Sequence, residues 1–262
     1  MESSPQKISI ITVCYNAAET IEKTIQSVLQ QSYHHIEYLI IDGQSQDSTM
    51  LIVQKYADKI AKIVSEPDKG IYDAMNKGIN HASGDILYFL NADDRLYDRN
   101  IIEDIVAQFK SDGNIGLIFG RLAFENVPQN HQVIVDELRS ATYKNRRELL
   151  AHIPPQQAII ARRRVFEQAG KFDTNYTIAA DTDWFLRCIK KKVPAKFIDK
   201  KIAYFNSQGL SYTQKAKAIR ERIKAVRSNS SFIDFWFYFM PVRSWLALIF
   251  YCKNIIRSIN RK

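Results

Sequence analysis

The sequence predicts an α/β chain built on a mainly parallel sheet with helices on both faces. Two observations carry this. Apolar runs of strand length alternate with segments whose apolar residues recur at helical spacing, the pattern of successive βαβ units. The run at 86–90 then stops at Asn91-Ala92-Asp93-Asp94, so two adjacent carboxylates stand at the carboxyl end of a strand, where open sheets of this class bind ligands. The competing reading of that tetrad is an Asx turn, because Asn and Asp bond their own backbone readily.

Taken in order, residues 8–14 are rich in Ile and Val and read as the first strand. In 18–30, Ile21, Ile25, Val28 and Leu29 fall on one helical face. A second strand at 38–41, a helical pattern at 49–56, a strand at 60–64, a helix at 71–81 and the strand at 86–90 complete a Rossmann-like half. Beyond it come a helix at 100–109 and strands at 116–124 and 132–135 that extend the sheet. After Pro154-Pro155 the pattern gives a strand at 157–161, a helix at 164–169, a helix at 181–190 and a strand at 195–205. No internal repeat interrupts this order.

At 262 residues and 46% hydrophobic, the chain is long enough for one large core with an appendage. Charge is uneven: residues 181–262 carry a net +13, against −4 for the first 180. Such a basic end is drawn to an anionic surface, either nucleic acid or membrane headgroups. Arg162-Arg163-Arg164 and Lys190-Lys191-Lys192 lack the aromatic interleaving or zinc spacing of a nucleic-acid module, so they read as solvated helix ends or lipid-phosphate contacts, with no nucleic acid partner. Cys14, Cys188 and Cys252 lie far apart with no ligand spacing, which excludes a disulfide framework and fits a reducing cytoplasm. Residues 1–6 are polar, with no apolar signal core.

The first strand-helix turn, Val13-Cys14-Tyr15-Asn16-Ala17-Ala18, contains no glycine, which disfavours a dinucleotide fold. A phosphate loop of the Gly-x-x-x-x-Gly-Lys-Ser/Thr type is also missing, as is the glycine- and arginine-rich opening of a sugar nucleotidyltransferase.

Five motifs point elsewhere. They are Ile8-Ser9-Ile10-Ile11-Thr12-Val13-Cys14-Tyr15-Asn16, the stretch Ile40-Ile41-Asp42-Gly43-Gln44-Ser45-Gln46-Asp47-Ser48-Thr49, and the run from Ser65-Glu66-Pro67-Asp68-Lys69-Gly70 through Ala82-Ser83-Gly84-Asp85. Asn91-Ala92-Asp93-Asp94 follows, and then Gly170-Lys171-Phe172-Asp173 with Ala179-Ala180-Asp181-Thr182-Asp183-Trp184. In this order, across residues 7–212, they resemble the family 2 glycosyltransferases. The resemblance implies a GT-A fold, with a nucleotide-sugar-binding half at 1–110 and an acceptor half at 111–212; charge and aromatic composition set off a separate basic, aromatic helical segment at 213–262. It also implies an inverting transfer from a nucleotide-sugar donor, a UDP-sugar foremost, to a hydroxyl on a glycan or lipid-linked acceptor, in polysaccharide biosynthesis.

Residue roles follow from that resemblance. Val13, Tyr15 and Asn16 contact the nucleotide; Asn16 is equally suited to be a helix N-cap. Asp42 bonds the base, its rival reading being a capping turn before Thr49. Lys69 places a cation near the diphosphate, unless it is a solvated surface lysine. Asp93 touches ribose and metal, and Asp94 is the direct ligand of a Mg²⁺ or Mn²⁺ that bridges the donor phosphates. Where many relatives have a third acid, this chain has Asn91; magnesium commonly takes one or two carboxylates and completes its shell from phosphate and water. Asp181 is the catalytic base, though acid at a helix start also suits the macrodipole without any chemistry. Relatives often place a glutamate where Ala180 stands. The rival functions are a catalytically silent sugar-nucleotide-binding or scaffold protein and a sugar nucleotidyltransferase.

Residues 232–252 are dense in Phe, Trp, Tyr and Leu, and as a helix of ~1.5 Å per residue would be nominally long enough for a bilayer core of roughly 30 Å. Asp234, Pro241, Arg243 and Ser244 interrupt them, and basic residues flank both ends. Both flanks then prefer the cytoplasm, which one crossing does not allow. The segment therefore reads as an in-plane or re-entrant anchor on an anionic membrane, placing the protein peripherally on the inner face of the cell membrane.

Overall fold

The computed structural model describes residues 5–125, 149, 152–206, 209 and 214–230. The chain opens with β1 (Ile8–Cys14), α1 (Ile21–Leu29), β2 (Ile36–Asp42), α2 (Thr49–Gln54), β3 (Lys62–Ser65), α3 (Ile71–His81) and β4 (Ile86–Phe89). It continues through β5 (Arg95–Leu96), α4 (Ile101–Ser111), β6 (Leu117–Glu125), β7 (Ile159–Arg162), α5 (Arg163–Ala169), α6 (Ala180–Lys190), β8 (Ala195–Asn206) and α7 (Lys215–Asn229). The strand expected at 132–135 and the anchor at 232–252 lie outside the described residues.

β1 and β4 are buried along their whole length, which is why their sequences are apolar at every position and not at alternate ones. Successive side chains still point to opposite faces: Ile8 and Ile10 pack with α1, α2 and α4, while Ile11 and Val13 pack with α3, α5 and α6. One sheet is thus sandwiched between two helical layers, as expected.

All eight strands join in the order β3-β2-β1-β4-β7-β6-β8-β5. The first four are parallel, in register Ile8↔Ile36, Ile8↔Ile86 and Leu39↔Lys62. β7 then runs antiparallel to both β4 and β6, so the second half of the sheet is mixed. Because the chain leaves β1 toward β2 on one side and returns to β4 on the other, a topological switch point lies between β1 and β4. Ligands of open α/β sheets bind outside the carboxyl ends of the strands at such a point. The segment expected as a strand from 157 begins instead as a 3₁₀ turn, Gln156–Ala158. β5, two residues long, has no sequence period to reveal it; it exists through pairing Arg95↔Tyr204 and Leu96↔Ala203 with β8.

Lys190 to Lys192 are exposed, as the solvated reading of the basic runs has it, whereas the arginine run is in part built into the fold. Arg162 is buried, and its guanidinium donates to the carbonyls of Ile115 (2.9 Å) and Phe109 (2.7 Å). Arg163 and Arg164 likewise donate to the carbonyls of Gly84 and Gly113. This run ties the segments that precede β4 and β6 to β7 and the start of α5. α7, the first helix of the segment expected as an appendage, packs on α6 with Ala225 fully buried. Glu221 accepts hydrogen bonds from the N–H groups of Thr177, Ile178 and Ala179 just ahead of α6, and the Asn229 amide donates to Asp183 at 2.9 Å.

Candidate active site

The switch point opens into a cavity of about 530 Å³. Its walls come from the end of β1 (Val13 to Asn16), the start of α3 (Gly70 to Tyr72), the acid loop after β4 (Asn91 to Asp93), the 3₁₀ turn at Gln156, and Asp181 and Arg222 from α6 and α7. The size is ordinary for a small-molecule site.

The acid loop is held from below. The Thr24 hydroxyl, buried in the middle of α1, lies 2.9 Å from the carbonyl of Ala92 and 2.6 Å from that of Asp94. Asp94 itself is buried. The Asn206 N–H donates to its Oδ1 at 3.0 Å and the Gln157 side chain faces the carboxylate, yet Oδ2 has no partner of normal hydrogen-bond geometry among the described residues. Burial first, and then the charge of Asp93, push the Asp94 carboxyl well above the ordinary range; burial also raises Asp93. Two desolvated acids side by side favour either a shared proton or a bound cation.

Asp181 sits at the first turn of α6 with part of its surface open to the cavity. The Thr182 N–H donates to its Oδ1 at 2.7 Å. Tyr72 on α3 brings its hydroxyl to 3.1 Å from the same oxygen and 2.7 Å from the carbonyl of Ile178. Burial raises the Asp181 carboxyl above its ordinary value, and the Arg222 charge pulls against it. Asp183 turns away: its carboxylate accepts from Arg187 at 2.8 Å and from Asn229.

The model of glycosyl transferase family 2 matches residues 9–170. An uncharacterised glycosyltransferase of Mycobacterium tuberculosis is 33% identical over 190 residues, covering 71% of this chain and 70% of the relative. The chain belongs to glycosyl transferase family 2. A PGL/p-HBAD biosynthesis glycosyltransferase of Mycobacterium bovis is 28% identical over 220 residues, spanning 82% of this glycosyltransferase and 83% of the relative. Among solved structures, S. aureus TarS 1–349 in complex with UDP-GlcNAc superposes with a TM-score of 0.68 at 17% identity, over 86% of this chain and 68% of that one. Mannosyltransferase PcManGT from Pyrobaculum calidifontis, in complex with GDP-Man and Mn²⁺, gives 0.68 at 19% identity over 89% and 68%. These likenesses establish the GT-A fold.

Of the residues singled out in sequence, Val13, Tyr15, Asn16, Asp93 and Asp181 line the glycosyltransferase's cavity. Asp42, Lys69 and Asp94 do not. Asp42 is buried with its carboxylate engaged by Ser45, by Ser65 at 2.6 Å and by the Cys14 thiol at 3.6 Å, so it ties the ends of three strands together. Gly43, the next residue, leaves room for the Asp68 carboxylate, which a Cβ would meet at 2.3 Å. Lys69 is exposed, and its backbone N–H donates to Asp73 at 3.0 Å. Asn16 is not the N-cap of α1, whose N-cap is Thr20; it holds a left-handed turn at φ 50° and its side-chain oxygen accepts from the Gln46 N–H at 2.8 Å.

Sequence reasoning missed Tyr72, Gln156 and Arg222. Tyr72 lay in a quoted motif but as an apolar helix position, and Arg222 lies in the basic tract assigned to the appendage. The donor set fits a divalent cation: Asp93 faces the cavity, and its neighbour Asp94 has an unsatisfied buried oxygen. No cluster of three or more His, Cys, Asp or Glu occurs among the described residues.

Proposed function

We propose that this glycosyltransferase moves a sugar from a nucleotide-sugar donor to a hydroxyl acceptor with inversion, Asp181 acting as the general base. The observation that carries this reading is that Asp181 and Asp93, from different halves of the chain, line one cavity at the switch point. In the proposal, Tyr15 and Asn16 hold the nucleoside, and Asp93 contacts the ribose. Asp181 accepts the acceptor hydroxyl's proton as its oxygen attacks the anomeric carbon, while the nucleoside diphosphate departs from the opposite face. General-base help of this kind contributes about 10²- to 10⁴-fold in rate. Asp94 and Asp93 would hold Mg²⁺ or Mn²⁺, which when bound offsets the charge gathering on the leaving diphosphate. The UDP and UDP-GlcNAc bound by TarS, and the GDP-Man bound by PcManGT, support a nucleotide sugar as donor, with a UDP-sugar first among them. The acceptor is a glycan or a lipid-linked sugar at the cytoplasmic face of the membrane, a reading supported by the basic carboxyl-terminal tract.

A panel of nucleotide sugars, screened by thermal shift with Mg²⁺ or Mn²⁺, tests the donor class, since a ligand that binds only the native state raises the melting temperature. Asp94→Asn should lose the metal-dependent shift and most turnover while keeping the fold. Full turnover in excess chelator would remove the metal from the reading. Release of pyrophosphate from a nucleoside triphosphate would turn it toward nucleotidyl transfer.

A further inference from the structure

The cavity wall contains carboxylates at Asp68, Asp93 and Asp181 and a single cation among the described residues, Arg222. It comes from α7, 41 positions beyond Asp181, with which it lines the same cavity. No described carboxylate lies within ion-pair distance of it, so its charge is left to act on the cavity. Nor is its place accidental. The preceding residue, Glu221, accepts from three successive N–H groups at Thr177 to Ala179, Ala225 is fully buried against α6, and Lys224 stands 4.9 Å from the Tyr176 ring centroid. These contacts fix the helical turn that bears Arg222 beside the start of α6.

We propose that Arg222 is a positioning residue of the transfer reaction, keeping Asp181 in its carboxylate form and thereby making α7 part of the active site. A base that is protonated before the acceptor arrives accepts nothing. Burial drives Asp181 in that direction, and its hydrogen bonds oppose this less than the Arg222 charge does: one backbone donor at 2.7 Å, and a Tyr72 hydroxyl at 3.1 Å that lies nearer the Ile178 carbonyl, at 2.7 Å. Among the described residues, Tyr72 from α3 and Arg222 from α7 are the titratable or charged groups that act on Asp181 from the packed elements, and burial holds Tyr72 neutral. On its own helix, Asp183 is neutralised by Arg187. What opposes burial is then chiefly the Arg222 charge.

The inference rests on Asp181 being the base, and two readouts separate its failure from failure of that assignment. The first needs no substrate: the carboxyl ¹³C titration of Asp181 in the full chain, compared with Arg222→Gln, Arg222→Met and Arg222→Lys. Loss of the charge should move the Asp181 midpoint to higher pH by about one unit, and lysine should restore most of it. The second is the pH profile of donor turnover. A base works below its midpoint only in proportion to its ionised fraction, so the acid limb should shift upward in Arg222→Gln by the same amount. That gives about a tenfold loss on the acid side, little loss well above the midpoint, and unchanged nucleoside diphosphate affinity. An unmoved titration in the folded Gln or Met variant overturns the proposal, as does a loss that is equal at all pH values or confined to nucleotide affinity. If the titration moves while the wild type turns over no nucleotide sugar, the coupling stands and the assigned reaction falls.

Discussion

Asp181 and Asp183 stand two residues apart on α6, about 200° around the helix from each other, and the structure gives them opposite surroundings. Asp181 opens to the cavity, whereas Asp183 is closed off by Arg187 and Asn229. Asp181→Asn should therefore cut turnover at least about 10²-fold with nucleotide binding nearly unchanged. Asp183→Asn should act on stability and on α7 docking, with a smaller kinetic loss. Equal kinetic losses at both positions would count against Asp181 as the base. Glu37 offers a second test at this scale. Burial disfavours its ionised form, but the Ser83 N–H and hydroxyl, Ser9 and Lys7 outweigh this and hold its carboxyl at about 2. A carboxyl depressed on folding adds stability above its unfolded value of 4.5 that is lost as pH falls toward about 2. The contribution at neutral pH is about 3 kcal/mol at most. Urea unfolding from pH 6 down to pH 2 should show this slope in the wild type and a flatter one in Glu37→Gln. Identical slopes would show that the network is not coupled to folding.

At the scale of elements, the parallel half was legible because its central strands β1 and β4 are buried on both faces and its helices α1 and α3 carry an apolar stripe. β5 was not legible, since two residues have no period and its pairing is decided by β8, more than 100 residues later. Asp42 illustrates a related limit in the site: a carboxylate at a strand end gives no sign in sequence of the Ser45, Ser65 and Cys14 groups that surround it in the fold. Arg222 was hidden by its surroundings, a tract so basic that one arginine among many drew no notice. Gly84 was quoted for its motif, and the structure supplies the reason for a glycine there. A Cβ would meet the backbone N of Ser9 at 2.7 Å and the carbonyl oxygen of Lys7 at 2.8 Å, and neither atom is free to yield. The close approach lets Asp85 and Ile86 take up the Lys7 carbonyl and start β4 beside β1. Gly84→Ala should cost about 1–3 kcal/mol, as overpacking does, and lower the melting temperature without changing the identity of the preferred donor. A variant as stable as the wild type would mean that the strand start is looser than its contacts imply.

For the whole molecule, the question is how the cavity is brought to its acceptor. No helix among the described residues is long and apolar enough to cross a membrane. α7 nonetheless turns two faces to different partners: Ala218, Ala225 and Val226 are buried against the protein, while Ile219 and Ile223 are exposed alongside Arg220, Lys224 and Arg227. Exposed apolar groups among cations suit a headgroup boundary, and residues 232–252, rich in aromatics, follow directly. Attachment by these two means has two components with different responses: salt screens charge over a Debye length of roughly 8 Å at physiological ionic strength, but leaves apolar burial intact. The full chain should therefore float with anionic vesicles, be only partly released by high salt, and be released by detergent. Protein ending at Asn229 retains every described contact of α7 except those of Ser230, so it should stay folded, bind donor nucleotide and remain largely unbound at physiological salt. A full-length protein that stays with the soluble fraction in the presence of anionic lipid would remove the membrane from the reading. A shortened protein that aggregates would show instead that residues 232–252 complete the core on the side where α7 leaves its isoleucines bare.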